Sequence, residues 1–162
     1  MSESTDTSTR AKPRPEDVAS PEAIIAAMYD TISGPAGKRN WYRERCLFLD
    51  GARLIPIGKR VHKEGGLEVM SLEEWIEDAE PFLAENDFYE KEIMRQANRF
   101  GNLVQVFSTY EARHSEDGPT IARGINSIQL LYKDNRWWIV TVMWDNESQD
   151  NPIPEEYLPY LW

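Results

Sequence analysis

The stretch Ala122–Trp144, ARGINSIQLLYKDNRWWIVTVMW, decides the fold, because it holds two extended apolar runs joined by a tight turn. Asp134-Asn135 is a two-residue turn signal, which predicts an antiparallel hairpin between residues 121–133 and 136–146. Counting back from this turn predicts four cross-strand pairs on one face: Tyr132 with Trp137, Leu130 with Ile139, Ile128 with Thr141, and Asn126 with Met143. The turn therefore predicts both the hairpin and its register.

The other face of the last strand is apolar as well. It carries Trp138, Val140, Val142 and Trp144. A sheet with one face in water does not tolerate this, so both faces need a cover. Helices can cover one face, and the same face of a second copy is the simplest cover for the other. We therefore predict a homodimer through the convex face of the sheet, formed by Gln129, Trp138, Val140, Val142 and Trp144.

Helix signals precede these strands. Ser20-Pro21-Glu22 has the pattern of a helix start, and Ser71-Leu72-Glu73-Glu74 has that of a capping box. A short helix is predicted over about 38–47, a strand over 52–58, and two further strands over 88–99 and 102–114. The fold class is therefore α+β, with three N-terminal helices packed on the concave face of a curved, mainly antiparallel sheet.

Composition sets the domain boundaries and excludes several classes of protein. Among 162 residues, the 1–19 stretch is predicted to be a disordered N-terminal tail, 20–147 the domain, and 148–162 a C-terminal extension that packs on the domain or on a partner.

A net charge of −10 argues against nucleic-acid binding. A lone cysteine, Cys46, excludes an internal disulfide and a multi-thiolate zinc site. We expect neither a metal nor a cofactor. Because neither a long apolar run nor a signal sequence occurs, we also expect a cytoplasmic protein without membrane association.

The order of elements resembles the nuclear transport factor 2-like superfamily, with its cone-shaped, cystatin-like α+β fold. The segments that carry the resemblance are ARLIPIG (52–58), LEEWIEDAEPFL (72–83), GNLVQVFSTYEARH (101–114) and the opening stretch. Within the superfamily, the chain is most similar to uncharacterised SnoaL-like and ketosteroid isomerase-like members. The resemblance implies a pocket between the helices and the concave face, and frequent dimers through the sheet.

The leading hypothesis is a protein that binds a small molecule in a largely apolar pocket inside the cone, with no assignable reaction. The residues predicted to line this pocket are Tyr29, Trp41, Phe48, Trp75, Asn126, Ile128, Trp137, Ile139 and Thr141. Aromatic walls with a few hydrogen-bonding groups are what a small apolar ligand needs. A filled core, in which Asn126 satisfies a backbone group, is the alternative.

Catalytic candidates are few. The resemblance implies a helix-one tyrosine, which Tyr29 matches, but Pro56 and Ser127 fall near the positions of the family's two carboxylic acids. The alternative function is therefore a cofactor-free isomerase, dehydratase or cyclase of the ketosteroid isomerase-like type. Its candidate proton-transfer residues are Tyr29, Asp30, Glu92 and His114.

Several of these residues have a plainer interpretation. Glu90 and Glu92 share a strand face and would form an acid/base pair only in a dry pocket. His62 and His114 are more simply interpreted as exposed surface residues, and Cys46 as a buried, unreactive cysteine. A non-catalytic assembly subunit is the third functional hypothesis.

Overall fold

Three helices and five strands make up the domain in the computed structural model, which describes residues 12–58 and 67–159. In chain order the elements are α1 (Pro21–Ile32), α2 (Trp41–Arg45), β1 (Phe48–Pro56), α3 (Leu72–Glu85), β2 (Tyr89–Phe100), β3 (Leu103–Arg113), β4 (Thr120–Lys133) and β5 (Arg136–Asn146). The strands form one sheet in the order β1-β5-β4-β3-β2. All neighbours are antiparallel except β1 and β5, which are parallel. The α+β prediction is confirmed.

The helices begin where their capping residues predict. Ser20 Oγ accepts a hydrogen bond from the backbone N–H of Ala23 at 3.0 Å at the start of α1. Ser71 and Glu74 form a reciprocal capping box at the start of α3. Pro81 lies inside α3, which nevertheless continues to Glu85. The core lies between α1 and the concave face of the sheet, where Ile24, Ile128 and Ile139 are completely buried.

A β-bulge at Val140 changes which side chains of β5 face the helices. Tyr132 pairs with Trp137 and Leu130 with Ile139, as predicted. Beyond the bulge, the register shifts by one residue. The pairs predicted for Thr141 and Met143 are therefore wrong: Ile128 faces Val142 and Asn126 faces Trp144. A bulge puts two residues opposite one, so the inward and outward positions exchange after it.

The bulge also corrects the predicted dimer face. Val142 and Trp144 were assigned to the convex face, but both line a cavity on the concave side. Trp138 remains on the convex side and is only 5% exposed within a single chain. The guanidinium of Arg136 lies over its indole, with Cζ 3.5 Å from the ring centroid, and the indole N–H donates to the Lys133 carbonyl at 2.9 Å. Trp138 therefore needs no second copy to leave water, and the homodimer stays a prediction.

Residues 12–19 pack on the domain, although they were assigned to the disordered tail. Val18 is buried, and its carbonyl accepts a hydrogen bond from the Trp137 N–H at 3.0 Å. Asp17 is buried too, and receives two bonds from the Arg43 guanidinium, at 2.8 and 3.0 Å. Hydrogen bonds, an apolar side chain and a bidentate ion pair hold this segment, and composition alone did not reveal them. Residues 1–11 lie outside the described part of the chain.

Replacing Arg43 with methionine is expected to lower the free energy of unfolding by about 2 kcal/mol, because the buried Asp17 carboxylate would lose its charged partner. Arg43 holds the pKa of Asp17 below its ordinary value. The stability that this ion pair contributes is present above the unfolded-state pKa of Asp17 and is lost as the pH falls through its folded-state pKa. The effect of Arg43→Met on the free energy of unfolding should therefore shrink in acid. Urea denaturation at pH 7 and pH 3 measures both changes. An unchanged stability at pH 7 would contradict this account of the N-terminal segment.

The C-terminal extension lies against the convex face of the sheet. Thr109 Oγ1 donates to the Tyr157 carbonyl at 2.6 Å, and Gln96 Nε2 donates to the Glu156 carbonyl at 3.0 Å. The Tyr157 ring packs on Phe107, with 5.5 Å between centroids. These contacts place residues 156–157 on the side of the sheet opposite the helices.

Candidate functional site

A cavity of about 310 Å³, partly open to solvent, lies between α1, α3 and the concave face of the sheet. From α3, the side chains of Trp75, Ala79, Phe82 and Leu83 form one wall. The sheet provides the opposite wall, which includes Phe48, Tyr110, Val142 and Trp144. Four polar side chains interrupt this apolar lining: Glu44, Glu90, Asn126 and Asn146. The cavity therefore has the size and wall composition of a small-molecule pocket, whose usual lower limit is about 300 Å³.

Glu90 enters the cavity from β2. Burial raises the pKa of its carboxyl to about 8, and a hydrogen bond with Asn126 opposes this only in part. Glu90 pairs in register with Ala112, which also lines the cavity. This carboxyl is therefore mainly protonated at pH 7.

Glu44 reaches the cavity from α2. Its side chain is 1% exposed, and burial raises its pKa to about 7. Thr31 Oγ1 donates a hydrogen bond to Oε2 of Glu44. The neighbouring Arg43 directs its donors at Asp17 and Asp30 instead. Glu44 is therefore a second acid at the cavity wall, and the neighbouring Arg43 is engaged elsewhere.

A line of hydrogen bonds runs from the cavity wall into the sheet. Asn126 Nδ2 donates to Tyr29 Oη at 2.9 Å, and Tyr29 Oη lies 2.7 Å from Ser108 Oγ. Ser108 in turn donates to Oε2 of Glu92, whose other oxygen accepts from Arg95. Burial raises the pKa of Tyr29 well above its ordinary value, so this phenol keeps its proton. The network fixes the position of the Asn126 amide at the wall.

The structure places the predicted pocket residues at the cavity wall, behind that wall, in the filled core and on the convex face. Phe48, Trp75 and Asn126 line the cavity. Tyr29 lies one layer behind Asn126, and Trp41 packs edge-on against Trp75 with 6.0 Å between centroids. The remaining members divide between the filled core and the convex face. Ile128, Trp137 and Ile139 belong to the core, whereas Thr141 is on the convex face because of the bulge.

Of the predicted proton-transfer residues, Tyr29 and Glu92 are joined through Ser108, whereas Asp30 and His114 lie apart from them. The Asp30 side chain is 69% exposed and pairs with Arg43. His114 is exposed, with Nδ1 3.0 Å from the Asp87 carbonyl. Glu92 lies behind the cavity in the Tyr29 network. His62 lies outside the described residues, and Cys46 is buried, which raises its thiol pKa.

Most cavity residues were absent from the predicted pocket, and Val142, Trp144 and Glu44 show why. Val142 and Trp144 were misplaced because no local signal marks the bulge at Val140. Glu44 lies three positions after Trp41 on the same helical face, so the position of Trp41 could have revealed it. Glu44 is flanked by Arg43 and Arg45, however, and such a charged run is typical of an exposed helix.

Two further properties concern metals and membranes. Within residues 12–58 and 67–159, no group of three or more His, Cys, Asp or Glu side chains could hold a metal ion. None of the helices in these ranges is long and apolar enough to cross a membrane.

The chain is similar to several solved structures of unknown function. It has a TM-score of 0.59 and 12% identity to a protein with a cystatin-like fold from Caulobacter vibrioides, over 80% of this chain and 88% of that one. A cystatin-like protein from Nostoc punctiforme gives a TM-score of 0.58 at 11% identity, over 79% and 89%. An NTF2-like protein from Silicibacter pomeroyi gives 0.54 at 17% identity, over 78% and 92%.

Sequence comparison adds no closer relationship, since no family model and no curated protein matches the chain. At these identities, a structural likeness defines the fold and leaves the activity open. The three structures are described as having a cystatin-like or NTF2-like fold. The chain therefore has the nuclear transport factor 2-like, cystatin-like α+β fold.

Proposed function

We propose that the protein binds a small, largely apolar molecule in the cavity between α1, α3 and the concave face of the sheet. One observation carries the proposal: the space of about 310 Å³ is walled by aromatic and aliphatic side chains. Glu44, Glu90 and Asn126 supply the few polar groups that orient a ligand. A packed core would leave no such volume, because protein interiors contain few voids larger than a water molecule.

A cavity-filling variant tests this function. Ala79 is half-buried on α3 and lines the cavity, so Ala79→Trp should fill it. Ala84 is exposed on the same helix, and Ala84→Trp is the matched control. A thermal-shift screen of small apolar compounds, both neutral and charged, identifies binders, and calorimetry measures their affinity. We expect Ala79→Trp to weaken binding more than ~10-fold, or by about 1.4 kcal/mol, and Ala84→Trp to leave it unchanged.

Two outcomes would contradict the proposed function. Equal binding by wild type and Ala79→Trp would place the ligand elsewhere. A screen in which no apolar compound of this size raises the melting temperature would overturn the proposal.

A second candidate function is cofactor-free proton transfer, as in an isomerase, dehydratase or cyclase. The observation that favours it is the Glu90 carboxyl, whose pKa of about 8 lies close to neutral pH inside an apolar pocket. Incubating binders that contain a ketone in D₂O, and following them by NMR, would detect exchange of the α-protons. Glu90→Gln should reduce that exchange by about 100-fold while binding persists. Exchange no faster than in buffer would exclude this second function.

A further inference from the structure

We propose that the ligand of the cavity is a small apolar amine, bound in its protonated, ammonium form. This inference rests on the proposed function, since it specifies the chemistry of the molecule that occupies the same space. It follows from the charges at the cavity wall and from the aromatic side chains around them.

Among the described residues, the charged groups at the wall are all acidic. Glu44 reaches the cavity from α2 and Glu90 from β2, so two separate elements each contribute a carboxyl. Among the described residues that line the space there is no lysine, arginine or histidine. Arg43 and Arg45 flank Glu44 in sequence, but Arg43 is bound to Asp17 and Asp30, and Arg45 to Glu73. A buried carboxylate is stable only when paired, so the wall presents two acceptors for a cation from outside.

The apolar lining suits the same ligand. Six aromatic side chains surround the space: Phe48, Trp75, Phe82, Phe88, Tyr110 and Trp144. The faces of such rings attract an ammonium group, and they also pack against the apolar body that carries it. A neutral alcohol of the same shape would be stabilised only by packing against the apolar walls. A carboxylate of the same shape would be repelled by Glu44 and Glu90 wherever these two groups are ionised.

Binding of an ammonium displaces protons from the wall. In the free protein, burial raises the pKa of Glu90 to about 8 and that of Glu44 to about 7, so both groups hold protons near neutrality. The polar groups around Glu90 are Tyr29, Tyr110 and Asn126, and those around Glu44 are Thr31 and Arg43. When R–NH₃⁺ enters, each carboxylic acid that ionises beside it releases one proton to solvent. Affinity for the amine therefore rises through pH 7–8, until the amine itself loses its proton near pH 10.

Three ligands of one shape test the inference: 2-phenylethylamine, 2-phenylethanol and 3-phenylpropanoate. Calorimetry on the full-length protein at pH 8, in two buffers of different ionisation enthalpy, gives both the affinity and the number of protons released. We expect the amine to bind at least ~10-fold more tightly than the alcohol, with net proton release. Glu90→Gln should bring the amine to the affinity of the alcohol, and Glu44→Gln should act in the same direction. The exposed Glu77→Gln on α3 is the control that should change neither ligand.

The outcomes separate this inference from the function beneath it. If the alcohol binds as tightly as the amine, or the propanoate more tightly, the cavity still binds an apolar molecule but the amine assignment is wrong. Tight amine binding without proton release, unaffected by both glutamine variants, also overturns it. If none of the three ligands binds, and the wider screen of apolar compounds gives no binder, both proposals fail. The wild-type measurements decide these cases even if a variant does not fold.

Discussion

Replacing Gly124 with alanine is expected to lower the free energy of unfolding by more than about 4 kcal/mol, or to prevent folding altogether. Gly124 is buried in β4, opposite Asn146 of β5. A Cβ atom at this position would lie 2.2 Å from Tyr110 Oη and 2.3 Å from the Asp145 carbonyl oxygen. The first contact is the end of a cavity-lining side chain, and the second is backbone of the neighbouring strand. Relief would require β4 and β5 to separate where they form the cavity wall.

Gly118→Ala is the matched control, since a Cβ there would lie 2.4 Å from Ser115 Oγ, the end of a small side chain in the β3–β4 turn. Rotation of Ser115 relieves that contact, so we expect a change within about 0.5 kcal/mol. Urea denaturation followed by tryptophan fluorescence compares the two variants. If Gly124→Ala is as stable as Gly118→Ala, β4 and β5 do not approach as closely as described.

The stability of the ligand-free protein should fall as the pH rises from about 5 to 8. Glu90 and Glu44 have folded-state pKa values of about 8 and about 7, above the ordinary value of 4.5. A raised folded pKa contributes stability that is complete below the unfolded pKa and is lost as the pH rises through the folded pKa. Between these limits each group removes up to about 1.4 kcal/mol per pH unit. Tyr29 and Tyr110 face Glu90 but keep their protons throughout this range, because burial raises their pKa values too.

Glutamine variants isolate this effect from the rest of the acidic chain. Relative to wild type, Glu90→Gln should have little effect at pH 5 and should stabilise the protein by about 2–4 kcal/mol at pH 8. Glu44→Gln should behave alike, with its gain complete nearer pH 7. The exposed Glu77→Gln should leave the pH profile unchanged. Parallel profiles for wild type and Glu90→Gln would mean that Glu90 is solvated, and would remove the electrostatic basis of the amine proposal.

Local sequence signals determined the elements of this fold. Ser20 with Pro21, and Ser71 with Glu74, begin two helices at the expected residues. Asp134 and Asn135 both adopt positive φ, at 55° and 59°, and form the turn between β4 and β5. Caps and tight turns depend on a few adjacent residues, so a sequence contains them in full. Apolar periodicity then places the helices on one face of an antiparallel sheet.

Tertiary structure decided the composition of the cavity. The bulge at Val140 moves Trp144 to the wall and Thr141 to the convex face, because a bulge depends on how a strand bends against its neighbours and not on its own residue types. Glu44 stands among arginines in the sequence but is buried, since the packing of α2 against Thr31 of α1 removes it from water. The acidity of a carboxyl is set by what surrounds it in three dimensions. The sequence alone thus determined the cone-shaped fold, whereas the chemistry of its interior follows from contacts between residues far apart in the chain.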